Sequence, residues 1–396
     1  MKPDYIFTSV SVTSGHPDKL CDSISDAILD AYLMQDPAAR VAAECALASG
    51  VLFLSTRVHS DAGIDQAEIA RQVVESAGYT QGDFNAEKCS VMINHGELQR
   101  YAFPRMIFDA EGEVDIDSVP ASHSITLFGY ACRQSASLMP LPAVIAHRLA
   151  RRLETFLARE DHQRLSTDGQ VHVSVAYTRR KPIGIHSVNI LISQQAHQEA
   201  ETRQLHQELI ESVVQPVLAD PALCGSLEPS IVINPAGAFN GRGPIFHSGL
   251  TGRKTGIDTY GEYARNCSAA LSGKDPLRID RVGVYAARQA AKHVVAAGLA
   301  EECEVLLSYT AGQSQPVSVR THTYGTGLLP DEEITRLISD AFDFRPGALA
   351  AVYQLQQLPR KRNGFYRQLA VYGHLGREDL ETPWERLDRL DAFRQH

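Results

Sequence analysis

Pro17-Asp18-Lys19-Leu20-Cys21-Asp22-Ser23-Ile24-Ser25-Asp26-Ala27-Ile28-Leu29-Asp30-Ala31 is the stretch whose reading decides the fold. Leu20, Ile24, Ala27, Ile28 and Ala31 recur at spacings of three and four, so one stripe of a helix over 17–34 is apolar. Asp18, Asp22 and Asp26 lie off that stripe, and Pro37 ends the run. Two more long patterns of this kind follow. Residues 142–159 carry Ile145, Leu149, Leu153 and Leu157, and residues 281–297 carry Val284, Ala287, Ala291 and Val294. The stretches between them are rich in β signals. Residues 41–48 and 51–59 flank a turn at Ser49-Gly50, 172–177 alternates ahead of 184–193, and 304–309 precedes 317–323 as a further pair. Helices and hairpins thus alternate in three successive parts. This predicts an α+β chain of three parts, each a sheet covered by helices on one face. Residues 98–122 are polar and poorly periodic, as expected of a loop near a site.

Composition narrows the class. A chain of 396 residues suits two or three domains, and an apolar share of 44% supplies a full core. The net charge of −9 argues against a non-specific nucleic-acid binder. No apolar run approaches the roughly 20 residues of a membrane span. Met1 to Ile6 lacks the pattern of a signal peptide, so a cytoplasmic protein is expected. Cys21, Cys45, Cys89, Cys132, Cys224, Cys267 and Cys303 are odd in number and form no CxxC, as expected of reduced thiols.

Three segments join glycine to cations. Ser14-Gly15-His16-Pro17-Asp18-Lys19 stands at a helix start, where free N–H groups favour anions. His16 and Lys19 add positive donors there, and Asp18 suits a divalent cation. Alone, this corner also fits a helix cap with a solvated Asp-Lys pair. Gly249-Leu250-Thr251-Gly252-Arg253-Lys254, with Asp258-Thr259-Tyr260-Gly261 after it, lacks Walker spacing, yet lets backbone and two cations approach one anion. In Ser272-Gly273-Lys274-Asp275-Pro276, followed by Arg278 and Asp280, a lysine and a later carboxylate repeat the combination. Together the three read as a polyphosphate site with two metal carboxylates.

These motifs, with Ile233-Asn234-Pro235 and Tyr372-Gly373-His374-Leu375-Gly376-Arg377-Glu378, stand in the order seen in S-adenosylmethionine synthetases, and the chain resembles that family from about Phe7 to Trp384. The resemblance implies three similar α+β domains about a pseudo-threefold axis, here 1–105, 119–232 and 233–380. It also implies a homodimer with shared active sites, often paired into tetramers. The implied reaction joins methionine sulfur to C5′ of ATP, expels tripolyphosphate and hydrolyses it, with Mg²⁺ required and K⁺ activating. Carried over by position, His16 steadies the bridging oxygen as the triphosphate leaves, and Asp18 and Asp280 are the Mg²⁺ carboxylates. Glu44 is associated with K⁺. Arg253, Lys254 and Lys274 hold the polyphosphate, Asp168, Phe239 and Ala270 contact the nucleotide, and Arg278 stands near the methionine carboxylate.

The chain also departs from the family pattern. Ser9-Val10-Ser11 lacks an acid, Gln170 and Ala238 replace cations, and Arg57, His123 and His247 stand where the family has acids around methionine. Read by charge, that pocket would suit a more anionic co-substrate. The other readings are unaltered methionine use and a non-catalytic partner of an active synthetase.

Overall fold

The computed structural model describes residues 3–98, 119–159, 165–193, 199–225, 227–237 and 243–394, together with positions 116, 162 and 241. Most of the 98–122 loop, Ala238 and Phe239 therefore lie outside the described residues. The N-terminal part contributes β1 (Tyr5–Val12), β2 (Arg40–Ala48), β3 (Val51–His59) and β4 (Ser90–Glu97). The central part contributes β5 (Ile125–Cys132), β6 (Gly169–Thr178), β7 (Lys181–Ile192) and β8 (Ser230–Ile233). The last part contributes β9 (Gly249–Leu250), β10 (Glu302–Tyr309) and β11 (Ser318–His322). The helices needed below are α1 (Pro17–Gln35), α2 (Gln66–Ser76), α3 (Leu141–Leu157) and α4 (Ile279–Ala296). All three expected hairpins form, as the antiparallel pairs β2/β3, β6/β7 and β10/β11.

Three sheets result, ordered β1-β6-β7-β8, β11-β10-β5 and β4-β3-β2-β9. Each is backed by one long helix: α3 lies on β6 and β1, α4 on β5 and β10, and α1 on β2. The sheets are not confined to successive parts of the chain, which differs from the expectation of one sheet per part. β1 of the N-terminal part joins the central sheet, β5 of the central part joins the C-terminal sheet, and β9 of the C-terminal part joins the N-terminal sheet. Each part lends one strand to the next in a cycle, so the backbone hydrogen bonds of every sheet depend on a neighbour. Hydropathy could not reveal this, because alternation marks a strand but not its partner.

One large apolar core spans α1, α4 and two of the sheets, and a second lies between α3 and the β1-β6-β7-β8 sheet. Cys21, Cys45, Cys89, Cys132, Cys267 and Cys303 are free thiols and all are buried. Among the described residues no helix is long and apolar enough to cross a membrane.

Helix α1 departs from its one-sided sequence pattern. Fifteen of its 19 residues are buried, the aspartates among them. A polar stripe is buried only where its groups find partners, and those partners build the site.

Candidate active site

Strand β2 carries two glycine loops along one edge. Leu250 and Gly249 pair with Ala46 and Leu47, and Lys274 forms a bridge with Ala42. Helix α1 pins both loops with carboxylates. Asp18 Oδ1 accepts the Leu250 N–H at 3.0 Å, Asp22 Oδ1 the Gly252 N–H at 2.8 Å, and Asp26 Oδ1 the Gly273 N–H at 2.8 Å. One step further, Asp30 accepts the N–H groups of Phe365, Tyr366 and Arg367 at 3.1, 2.9 and 3.0 Å. An acid at every fourth position faces one side of a helix, and here that side is a rail for three backbone segments. Asp22, Asp26 and Asp30 had no role in the sequence reading. Their regular spacing was the signal for one. Gly273 lets the second loop approach β2: its φ is 76°, and a Cβ there would lie 1.9 Å from the Ala43 carbonyl oxygen.

The first cluster forms at the start of α1. His16 caps the helix, accepting the Asp18 N–H on Nδ1 at 3.2 Å, so the neutral ring carries its proton on Nε2. Arg253 lies 3.3 Å from Asp18 Oδ1 and Lys254 3.8 Å from Asp18 Oδ2. The Arg253 and Lys254 side chains remain 44% and 30% exposed, open to a ligand, while Asp18 is buried. Burial pushes the Asp18 carboxyl above its ordinary value despite the opposing pull of Arg253, the Leu250 N–H and Lys254. Ala270 packs on Gly252, where a Cβ would meet it at 2.3 Å, and so ties the two glycine loops together.

The second cluster forms at the start of α4. Lys274 Nζ and His123 Nε2 both reach Asp280 Oδ1, at 2.8 and 2.9 Å. Asp280 Oδ2 is buried and has no hydrogen-bond partner among the described residues. Burial pushes this carboxyl up, but His123 and Lys274 together outweigh it and hold it below the ordinary value. Arg281 fixes the helix start, donating to both Asp26 oxygens at 2.7 and 2.8 Å and to the Lys274 carbonyl at 2.9 Å. Arg278 caps α4 with its side chain 3.9 Å from Asp275.

The two clusters are separated. Their loops are pinned at Asp18 and Asp26, eight residues along α1 and therefore about 12 Å apart. Asp168 is buried elsewhere and accepts the Gly243 N–H at 2.9 Å. A cavity of about 480 Å³ is lined by Tyr79, Glu154, Ser166, Thr167, Gly243 and Phe246, among others.

One expectation needs correction. Lys19 is no phosphate donor: its side chain is fully buried, with its ammonium 2.9 Å from Asp22 and in contact with Asp258. It neutralises two acids of the interior. Arg57, His123 and His247 stand on three different segments of the chain. Arg57 is exposed on the outward face of β3, His247 is exposed beyond Gly243, and His123 is committed to Asp280. Glu44 lies exposed on β2 opposite Ser55, lining a shallow cavity with Phe53, Met92, Ile93 and Leu250.

Sequence models of the S-adenosylmethionine synthetase N-terminal, central and C-terminal domains match residues 4–98, 118–239 and 242–386. The chain belongs to the S-adenosylmethionine synthetase family. Among similar proteins, the S-adenosylmethionine synthase of Trichormus variabilis is 42% identical, over 100% of this chain and 97% of its own length. That of Synechococcus elongatus is 41% identical over 99% and 97%, and that of Prochlorococcus marinus 43% over 96% and 94%. Both cation-and-carboxylate clusters fall inside the matched domains. The three-part α+β architecture is the synthetase fold.

Proposed function

We propose that this protein is a methionine adenosyltransferase that forms S-adenosylmethionine from ATP and methionine and hydrolyses the tripolyphosphate. The observation that carries the reading is the pair of clusters on the β2 edge, each joining glycine backbone, cations and a buried carboxylate, in a chain similar throughout to synthases named for that product. In the reaction the sulfur–C5′ bond forms as the C5′–oxygen bond breaks, and the triphosphate leaves with the electron pair. A thioether has no proton to lose, so no general base is needed. Rate comes from positioning and from steadying the leaving group. His16 Nε2–H would donate to the departing oxygen, and Arg253, Lys254 and Lys274 would balance phosphate charge. Asp168 would meet the nucleoside, with Ala270 and Phe239 near it, and Arg278 the methionine carboxylate.

The donor set fits Mg²⁺. Asp280 Oδ2 is a buried oxygen without a partner among the described residues, and carboxylate oxygen suits a hard cation. No group of three or more metal-ligating side chains occurs among those residues, so phosphate oxygens would complete the shell. Mg²⁺ at Asp18 and Asp280 would neutralise charge gathering on the leaving triphosphate. Glu44 offers its carboxylate to K⁺. Asp18→Asn and Asp280→Asn are each expected to raise the Mg²⁺ concentration for half-maximal rate and to lower turnover. Unchanged Mg²⁺ titrations in both would leave the two carboxylates a purely structural task.

The distance between the clusters supports a homodimer with shared sites. The apolar outer face with Phe53, Met92, Ile93 and Leu250, all more than 40% exposed, is the surface a second copy would cover. We also read the protein as cytoplasmic. Similarity to synthases named for S-adenosylmethionine favours methionine over a more anionic co-substrate. The test is mass spectrometry of the purified protein with ATP, Mg²⁺ and K⁺, with and without methionine. S-adenosylmethionine appearing only with methionine supports the reading. Triphosphate release without that product refutes it.

A further inference from the structure

The turn that delivers His16 is held from outside its own helix. Residues 13–16 close on a hydrogen bond from the His16 N–H to the Thr13 carbonyl at 3.1 Å. Thr13 Oγ1 donates to the Thr167 carbonyl at 2.6 Å, and Tyr79 Oη donates to the Gly15 carbonyl at 2.6 Å. Ser14 is gripped twice by Glu154 of α3: its N–H donates to Oε2 at 3.0 Å and its hydroxyl to Oε1 at 2.8 Å. The Tyr372 hydroxyl also donates to Glu154 Oε2, tying the carboxylate to a third segment. Gly15 leaves no slack on the Thr167 side, where a Cβ would lie 1.7 Å from Oγ1. The residues that hold the turn, Tyr79, Glu154 and Thr167, also line the 480 Å³ cavity, which provides open space beside it. The turn therefore keeps its place through these polar contacts, with room to relax once they are cut.

We propose that Glu154 is a positioning residue for His16. Both of its oxygens serve Ser14, two residues before the histidine, so it fixes the peptide from which the imidazole is aimed. Its effect on the reaction passes through His16 alone, and the proposal rests on the reading of His16 as the group that steadies the departing oxygen. A small displacement of such a group is expensive: about 1 Å costs on the order of 10²-fold in rate.

The test is a double-mutant cycle on the full-length protein with ATP and methionine. Glu154→Ala is expected to lower kcat by roughly 10²-fold with KM for ATP nearly unchanged. Glu154→Gln keeps an acceptor for the Ser14 N–H and should recover most of that loss. In a His16→Ala background, Glu154→Ala should cost little more, because the group it aims is gone. Equal factors in both backgrounds would overturn the positioning role, as would normal kcat in folded Glu154→Ala. If Glu154→Ala does not fold, Ser14→Ala cuts the hydroxyl contact and carries the same cycle with the same expected non-additivity. Normal turnover in His16→Ala itself would overturn the histidine reading and the positioning role with it. A slow His16→Ala beside a normal Glu154→Ala overturns the positioning role only.

Discussion

His16→Ala is expected to lower turnover by about 10²–10³-fold, the usual cost of removing one preorganised donor from a developing charge. The fold should survive. His16 stands at the first position outside α1, partly exposed, and its loss removes one cap contact to the Asp18 N–H. Loss of a helix cap costs about 1 kcal/mol, small against the stability of a chain this size. Because Nδ1 accepts from the backbone, Nε2 would be the donor to the leaving oxygen under the proposed mechanism. The defect should therefore lie in kcat, with ATP binding largely kept by Arg253, Lys254 and Lys274. Steady-state rates of S-adenosylmethionine formation, beside thermal unfolding of the same preparation, check both halves. Near-normal kcat would remove His16 from the chemistry.

Lys19→Ala should do the opposite. Three residues away in the same motif, Lys19 is buried between Asp22 and Asp258, and its ammonium is held charged by them against the cost of burial. Removing one member of a buried ion pair leaves uncompensated charge and costs about 3–5 kcal/mol. Asp258 has a second oxygen without a partner among the described residues, so that carboxylate has little else to fall back on. Burial already raises the Asp258 carboxyl above its ordinary value, with Lys19 opposing the shift, and loss of the lysine raises it further. A carboxyl whose folded pKa exceeds the unfolded value of about 4 loses stability as pH rises through the window between the two. The deficit of Lys19→Ala against the parent should therefore be smaller near pH 5 than near pH 8. Lys254→Ala is the contrast: partly exposed, it should leave urea unfolding unchanged and raise KM for ATP. A stable Lys19→Ala with raised KM would return Lys19 to the phosphate site.

Local pattern carried much of this protein. The three long helices were legible because apolar residues at spacings of three and four leave few alternatives, and the three hairpins because alternation flanks short turns. The glycine-plus-cation segments announced anion chemistry, since few other tasks place backbone and positive side chains so close together. The order of those segments identified the family.

Tertiary structure decided the rest, because charge in a sequence does not say where the charge is spent. Lys19 and Lys254 look alike as letters. One is consumed by two interior acids, and the other remains open beside Asp18. Arg57 and His123 are both cationic candidates as letters, yet β3 turns Arg57 outward to the surface a second copy would cover, while Asp280 holds His123. The cyclic exchange of β1, β5 and β9 left no local trace, since strand pairing is settled by backbone groups that every residue shares. The rail of Asp18, Asp22, Asp26 and Asp30 was present in the spacing, but its meaning required the N–H groups of loops more than 200 residues away in the chain. Burial turns those carboxylates from solvated ornaments of a helix into the fixed points of the site, because an acid removed from water must find its hydrogen bonds within the fold.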